Sequence, residues 1–248
     1  RLWISMGWKP EEGYLKHQWD HMYENLSLSI LALGLDAKVP EASWDALIRE
    51  IRRGDGYEVI TGGTLFMHQM SHGYIDFAGR RDRLGFDYWV DGRNATLAQS
   101  AYAARNPNRR KGYSRFHWGF SACDIPGDYP TAIPDVADEQ GTIAAPGILA
   151  SMIFTPDLVT KSAASMYQNF PNSYGRYGFA SGVNPGQDWR SPDAIGIDQG
   201  QAFCNIENAR DGIVQRLFMS YPPVARGMAR AGFRKTNEGP LHTRLLKR

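Results

Sequence analysis

Between residues 66 and 82 the chain sets two histidines, two acids and two arginines among aromatic and sulfur side chains: Phe-Met-His-Gln-Met-Ser-His-Gly-Tyr-Ile-Asp-Phe-Ala-Gly-Arg-Arg-Asp. Read as a helix, this stretch places His68, His72 and Asp76 on one face, each one turn from the next. Two imidazoles at that spacing could ligate a metal ion. The glutamate that follows the first histidine in a zinc-protease helix is replaced here by Gln69, and a third ligand would still be needed. Hydrogen bonding along a cavity wall is therefore the favoured chemistry, with no metal and no cofactor expected. Arg80, Arg81 and Asp82 would close the helix as an ion-pair cluster or a binding patch. A second set of acids lies earlier. Asp20, Tyr23, Glu24 and Ser27 fall on one helical face at three- and four-residue spacing. Like charges one turn apart raise a carboxyl pKa, so Asp20 can tune Glu24; acids simply complementing a helix dipole are the bland alternative.

The elements that must position these groups read as helix after helix. A first helix is predicted over 19–34, with Gly34 at its C-terminal stop, and a second over 43–53, with Ser43 as N-cap. The central helix spans 65–77, and a further one runs from Asp87 to Arg105. A small-residue helix covers 142–153; Pro156 opens the next, capped by Thr155 and ending near Phe170. Helices over 197–219, broken near Gly212, and over 222–231 complete the set. Two long loops, 113–134 and 174–192, interrupt the pattern, and loops of that length usually serve a function. They carry Asp124 and the aromatics Trp118, Tyr177 and Trp189, which are candidate sugar platforms. Asp198, followed by Gln199, begins a charge-poor helix and either faces the cavity or caps the helix. Charge-poor helices alternate with amphipathic ones, and strand alternation is short. An α/β sheet is disfavoured, and an α-hairpin barrel or solenoid fits.

Composition narrows the partners. Lys and Arg total 28 against 26 Asp and Glu, a net charge of +2 that gives no reason to expect nucleic acid. No run of about 18 apolar residues suggests a membrane span. Cys123 and Cys204 make neither a disulfide framework nor a zinc motif. The chain begins at Arg1 rather than Met, so the lack of a visible signal peptide carries little weight. Aromatic side chains, including 7 Trp and 12 Tyr, are abundant enough to line a carbohydrate site as well as fill a core. The sequons at Asn25 and Asn94 lie inside predicted helices and are discounted.

Five blocks together resemble the bacterial glucoamylase-like family that includes endo-β-1,2-glucanases and the related domain of cyclic β-1,2-glucan synthases. They are Lys16-His17-Gln18-Trp19-Asp20-His21-Met22-Tyr23-Glu24, then 66–82, and Asp87-Tyr88 to Asn94-Ala95-Thr96. The last two are Trp118-Gly119-Phe120-Ser121-Ala122-Cys123-Asp124 and Gly196-Ile197-Asp198-Gln199-Gly200 with Glu207-Asn208. The resemblance implies an all-α fold, an (α/α)6 barrel with its sugar site at the N-terminal ends of the inner helices. Residues 1–233 would form the C-terminal two thirds of that barrel, and 234–248 a basic tail. An earlier acid-bearing helix motif of the family has no counterpart here. The implied activity is glycoside hydrolysis of β-1,2-glucan or a related β-glucoside oligosaccharide, in the periplasm or outside the cell. Glu24 is the first catalytic carboxylate, with Asp20 and Asp124 as the other acids. Substrate contacts fall to Trp19, Tyr23, His68, Gln69, Asp76, Arg80, Trp118, Tyr177, Trp189 and Asp198. Two alternatives stand beside hydrolysis: glucan binding without catalysis, and transglycosylation. Without the earlier helices, Leu26, Ile30 and Leu33 are expected to be left uncovered, awaiting an upstream segment or a second chain.

Overall fold

A computed structural model describes residues 2–22, 24–60, 64–134 and 140–236. Helices dominate, and short antiparallel strand pairs link them. The chain opens with β1 (Ile4–Ser5), β2 (Trp8–Lys9), β3 (Gly13–Tyr14) and β4 (Gln18–Trp19), in which Ile4 pairs with Trp19. Then follow α1 (Leu26–Leu35), α2 (Ala42–Asp45), the hairpin β5 (Ile51–Gly54) and β6 (Tyr57–Ile60), α3 (Leu65–Gln69), β7 (Arg80–Arg81) and α4 (Tyr88–Arg105). The second half holds α5 (Ala145–Leu149), α6 (Pro156–Asn169), β8 (Tyr174–Gly175), β9 (Gly178–Phe179), β10 (Val183–Asn184) and β11 (Trp189–Arg190). It ends with α7 (Gly196–Arg210), α8 (Ile213–Met219), α9 (Pro222–Arg230) and β12 (Arg234–Lys235).

Local chemistry explains where the expected helices survive. The Asp87 carboxylate accepts the Val90 amide at 3.0 Å and starts α4, while Asn106, with φ 44°, ends it in the left-handed region. Pro156 occupies the first turn of α6, although Thr155 makes no side-chain cap. Gly212, with φ 71°, separates α7 from α8 as the sequence implied.

Four expected helices are shorter, the small-residue helix over 142–153 being reduced to α5. Residues 18–22 are extended: the Ile48 amide donates to Asp20 O at 2.8 Å and the Met22 amide to Ile48 O at 2.9 Å. That tether keeps Asp20 off α1 and places Glu24 in the turn before it. The apolar spacing read as a helix over 43–53 belongs to the four-residue α2 and a β-hairpin turned at Asp55 and Gly56, both with positive φ. The central stretch breaks after Gln69 into a 3₁₀ turn, Ser71–Gly73, and then loop. His68, His72 and Asp76 therefore do not share a helical face.

The expected exposure of α1 is overturned. Leu26, Ile30 and Leu33 are at most 2% exposed, because α9 folds back from the other end of the chain and covers them. Glycines permit the contact. A Cβ on Gly34 would lie 1.8 Å from Pro223 O, and one on Gly227 only 1.9 Å from Ile30 O. Gly227→Ala is therefore expected to destabilise the chain by roughly 1–3 kcal/mol or more through overpacking, read as a lower urea midpoint. The start of the supposed tail is also ordered: Arg234–Lys235 pairs with Arg80–Arg81, whereas 237–248 lie outside the described residues. Among the described residues, no helix is long and apolar enough to cross a membrane.

Candidate active site

Three helix N-termini converge on one cleft. Phe66 from the first turn of α3, Ile197, Asp198 and Gln201 from α7, Ile195, and Ala122 and Tyr129 from the 113–134 loop enclose about 440 Å³. That size suits a small ligand, since such sites span roughly 300–1,000 Å³. The cleft runs into a tighter polar recess lined by Gln69, Ser121 and Ser181, with Pro146 and Gly147 from the start of α5. Asp198 lines both.

Asp198 is 9% exposed, and both its carboxylate oxygens are held. Oδ1 accepts the Tyr129 hydroxyl at 2.7 Å, and Oδ2 accepts the Ser181 hydroxyl at 2.6 Å. The Ser181 oxygen in turn accepts the Asp124 amide at 3.1 Å. Asp124 closes the network by accepting the Ser191 hydroxyl on Oδ2 at 2.5 Å. Burial raises the Asp198 pKa, partly offset by the two hydroxyl donors, and the neighbouring Asp124 charge pushes the same way as burial. The adjacent Cys123 thiol, also buried, is pushed up to about 12 and stays protonated. Asp198 is not a helix cap, because Ile195 holds that position.

Glu24 sits in the turn before α1. The Ser71 hydroxyl donates to its backbone oxygen at 2.8 Å, tying it to the segment that follows α3. Burial raises its pKa, and no basic side chain contributes to the shift. Asp20 behaves differently. It bonds His21 Nδ1 at 2.7 Å, which lowers its pKa, and it is well exposed. The two acids are separated in environment: burial pushes the Glu24 pKa up, whereas the His21 contact draws the Asp20 pKa down.

The remaining candidates scatter. Gln69 lines the recess and donates to Gly147 O and Ser151 Oγ at 2.7 and 2.8 Å. His68 is buried against Asp91, with Nδ1 2.9 Å from Oδ2. His72 packs between the Phe77 and Phe154 rings, and burial pushes it down to about 3, so it stays neutral. Among the described residues, no three His, Cys, Asp or Glu side chains cluster as metal ligands. Asp76 caps the Ala78 amide, and Arg80 donates to Asp76 O, so both serve their own turn. Trp118 corrects the sugar-platform reading: it is fully buried, and its indole donates to Ser162 Oγ at 3.1 Å. Tyr177 is exposed beside Arg176. Trp189 lines a separate groove of about 440 Å³ with Phe170, Asn172 and Asp188. Trp19 belongs to β4, and Tyr23 lies outside the described residues. Tyr129, Ser181 and Ser191 were not singled out from sequence; isolated hydroxyls in loops carry no spacing signal.

The family model Glycoamylase, described as "Putative glucoamylase", matches residues 16–222. The chain belongs to this glucoamylase-like family. An exo β-1,2-glucooligosaccharide sophorohydrolase (non-reducing end) from Parabacteroides distasonis is 31% identical over 171 residues, covering 68% of this chain and 24% of that protein. Among solved structures, the endo-β-1,2-glucanase from Chitinophaga pinensis, in complex with sophorotriose and glucose, superposes with a TM-score of 0.89 at 25% identity. That match covers 94% of this chain and 60% of the glucanase. A "putative glucoamylase" from Bacteroides fragilis NCTC 9343 gives 0.89 at 29% identity, over 96% of this chain and 60% of its own. This glucoamylase-like chain thus spans 60% of those structures and 24% of the sophorohydrolase.

Proposed function

We propose that this glucoamylase-like chain carries a β-1,2-glucan hydrolase site in the cleft at the N-terminal ends of α3, α5 and α7. The observation that carries the reading is Asp198, a buried carboxylate held by two hydroxyls on the wall of a ligand-sized cleft. Its support is the superposition on a β-1,2-glucanase and the kinship with a sophorohydrolase. We also infer that the helices belong to an (α/α)6 barrel, a reading supported by the same superpositions.

Glycoside cleavage needs a proton for the leaving oxygen and a second carboxylate acting on water or on the anomeric carbon. Glu24, whose pKa burial raises, is suited to keep a proton and donate it to the glycosidic oxygen. Asp198 is suited to the second task, because hydroxyl donors stabilise its ionised form while burial lifts its pKa toward the working pH. The Phe66 and Tyr129 rings offer flat faces for sugar C–H groups. On this assignment the rate rises with pH as Asp198 ionises and falls as Glu24 loses its proton.

Incubation with β-1,2-glucan, with β-1,3- and β-1,4-glucans as controls, tests the reading by following released oligosaccharides. Release from the β-1,2-linked polymer alone is expected, and no release by the folded chain would overturn it. Glu24→Gln keeps shape but cannot donate the catalytic proton. It should lower kcat by about 10²–10⁴-fold with an unchanged circular dichroism spectrum.

A further inference from the structure

The β10–β11 hairpin reaches Asp198, on the cleft wall, and Asp124 from one short segment. Ser181, just before β10, donates to Asp198 Oδ2 at 2.6 Å, and Ser191, just after β11, donates to Asp124 Oδ2 at 2.5 Å. Both serines are fully buried. The segment is also fixed on the backbone of its target. The Ser181 oxygen accepts the Asp124 amide at 3.1 Å, and the Ser191 amide donates to Gly182 O at 2.8 Å. Gly182 has no room for a side chain: a Cβ there would lie 2.1 Å from Asp124 O. That approach brings the hairpin base against Asp124 along its main chain as well as through its side chains.

We propose that the base of this hairpin is a clamp that sets the relative position of the two carboxylates, with Ser181 and Ser191 as positioning residues. The proposal rests on the assignment of Asp198 to the hydrolytic site, and it adds Asp124, whose charge acts on Asp198, as the second carboxylate held there. A serine hydroxyl has one proton and two lone pairs. With the Asp124 amide occupying one lone pair, the Ser181 proton is aimed at Asp198 and cannot turn elsewhere without leaving that amide unpaired. A carboxylate offers about four lone-pair positions. Ser181 and Tyr129 take two of them, which leaves room for water or a sugar hydroxyl and holds the carboxylate against rotation. Among the described residues, the ionisable groups facing Asp198 are Tyr129, Asp124 and the protonated Cys123. None is a cation, so the hydroxyl donors are what stabilise the carboxylate form.

The test uses Ser181→Ala and Tyr129→Phe in the full chain, with two readouts. The first is the carboxyl carbon chemical shift of Asp198, titrated by NMR, which needs no turnover. Each variant removes a donor to the ionised form, so the Asp198 pKa should rise, by about one unit for Ser181→Ala. The second is the pH profile of kcat on a β-1,2-gluco-oligosaccharide, whose ascending limb should shift upward by the same amount. At its optimum, Ser181→Ala should lose about 10–100-fold in kcat with KM within about threefold, since positioning acts on the reacting geometry. Ser191→Ala, which frees Asp124 alone, should lower kcat and leave the Asp198 titration in place. An unchanged Asp198 titration in Ser181→Ala would overturn the clamp, as would a loss of rate that merely tracks a loss of folded protein. If the wild-type chain did not hydrolyse the glucan, the functional reading would fail while the NMR titration still decided the clamp.

Discussion

Asp198→Asn is expected to lower hydrolysis of β-1,2-glucan by about 10²–10⁴-fold while the chain still folds. The substitution keeps the size of the side chain and removes its charge. Its amide oxygen can still accept one of the two hydroxyls, and the second hydroxyl must turn so that the amide nitrogen donates to it. Loss of a charge that folding has already partly desolvated costs little stability, and the thermal midpoint should move by only a few degrees. The chemistry has no such tolerance, because an amide neither takes a proton from water nor attacks the anomeric carbon. Initial rates on a β-1,2-gluco-oligosaccharide, beside a thermal melt, check both halves. Near wild-type turnover would remove Asp198 from the mechanism and leave Asp124 as the next carboxylate.

The largest expected effect on stability falls on a residue that does not line that cleft. Asp82→Ala should cost about 3–5 kcal/mol. Asp82 is 5% exposed and serves as a hub: Oδ1 accepts the Leu84 and Phe86 amides, both at 3.0 Å. Oδ2 accepts the Trp44 indole at 3.0 Å and the Tyr88 hydroxyl at 2.7 Å, with Arg49 3.6 Å away. The Arg49 side chain is only 3% exposed, so removing the carboxylate leaves a buried guanidinium without its counter-charge. Burying a charge without a partner is among the few single changes that reach this size. Urea unfolding should show a lower midpoint with an unchanged slope, and a shift under about 1 kcal/mol would contradict the hub.

Asp82 also illustrates what the sequence could reveal. Its neighbours in the chain, Arg80 and Arg81, suggested a local ion-pair cluster, yet its partner is Arg49 from a distant segment. Charge runs mark where ions are, and only the tertiary fold says which of them meet. The ends of α4, α6 and α7 were legible because Asp87, Pro156 and Gly212 act locally. The hairpin β5–β6 and the extended run 18–22 were not, since both depend on pairing with another segment, which periodicity cannot report. The cover over α1 was missed for a related reason: its partner α9 lies almost two hundred residues away and fits only through Gly34 and Gly227. Carboxylates stand out in a sequence, so Asp198, which lines the cleft, was singled out along with Asp124 and Glu24. The hydroxyls of Tyr129, Ser181 and Ser191 gain meaning only from distances of 2.5–2.7 Å.

On the proposed assignment, β-1,2-glucan binds and is cut beside Asp198. A crystal structure of the Asp198→Asn chain with sophorotriose tests it most directly, since the slow variant should retain intact sugar. Saccharide density is expected between Phe66, Tyr129 and residue 198, with a glycosidic oxygen within hydrogen-bond reach of Glu24. Density confined to another surface, such as the groove beside Trp189, or an empty cleft at saturating sugar, would contradict it.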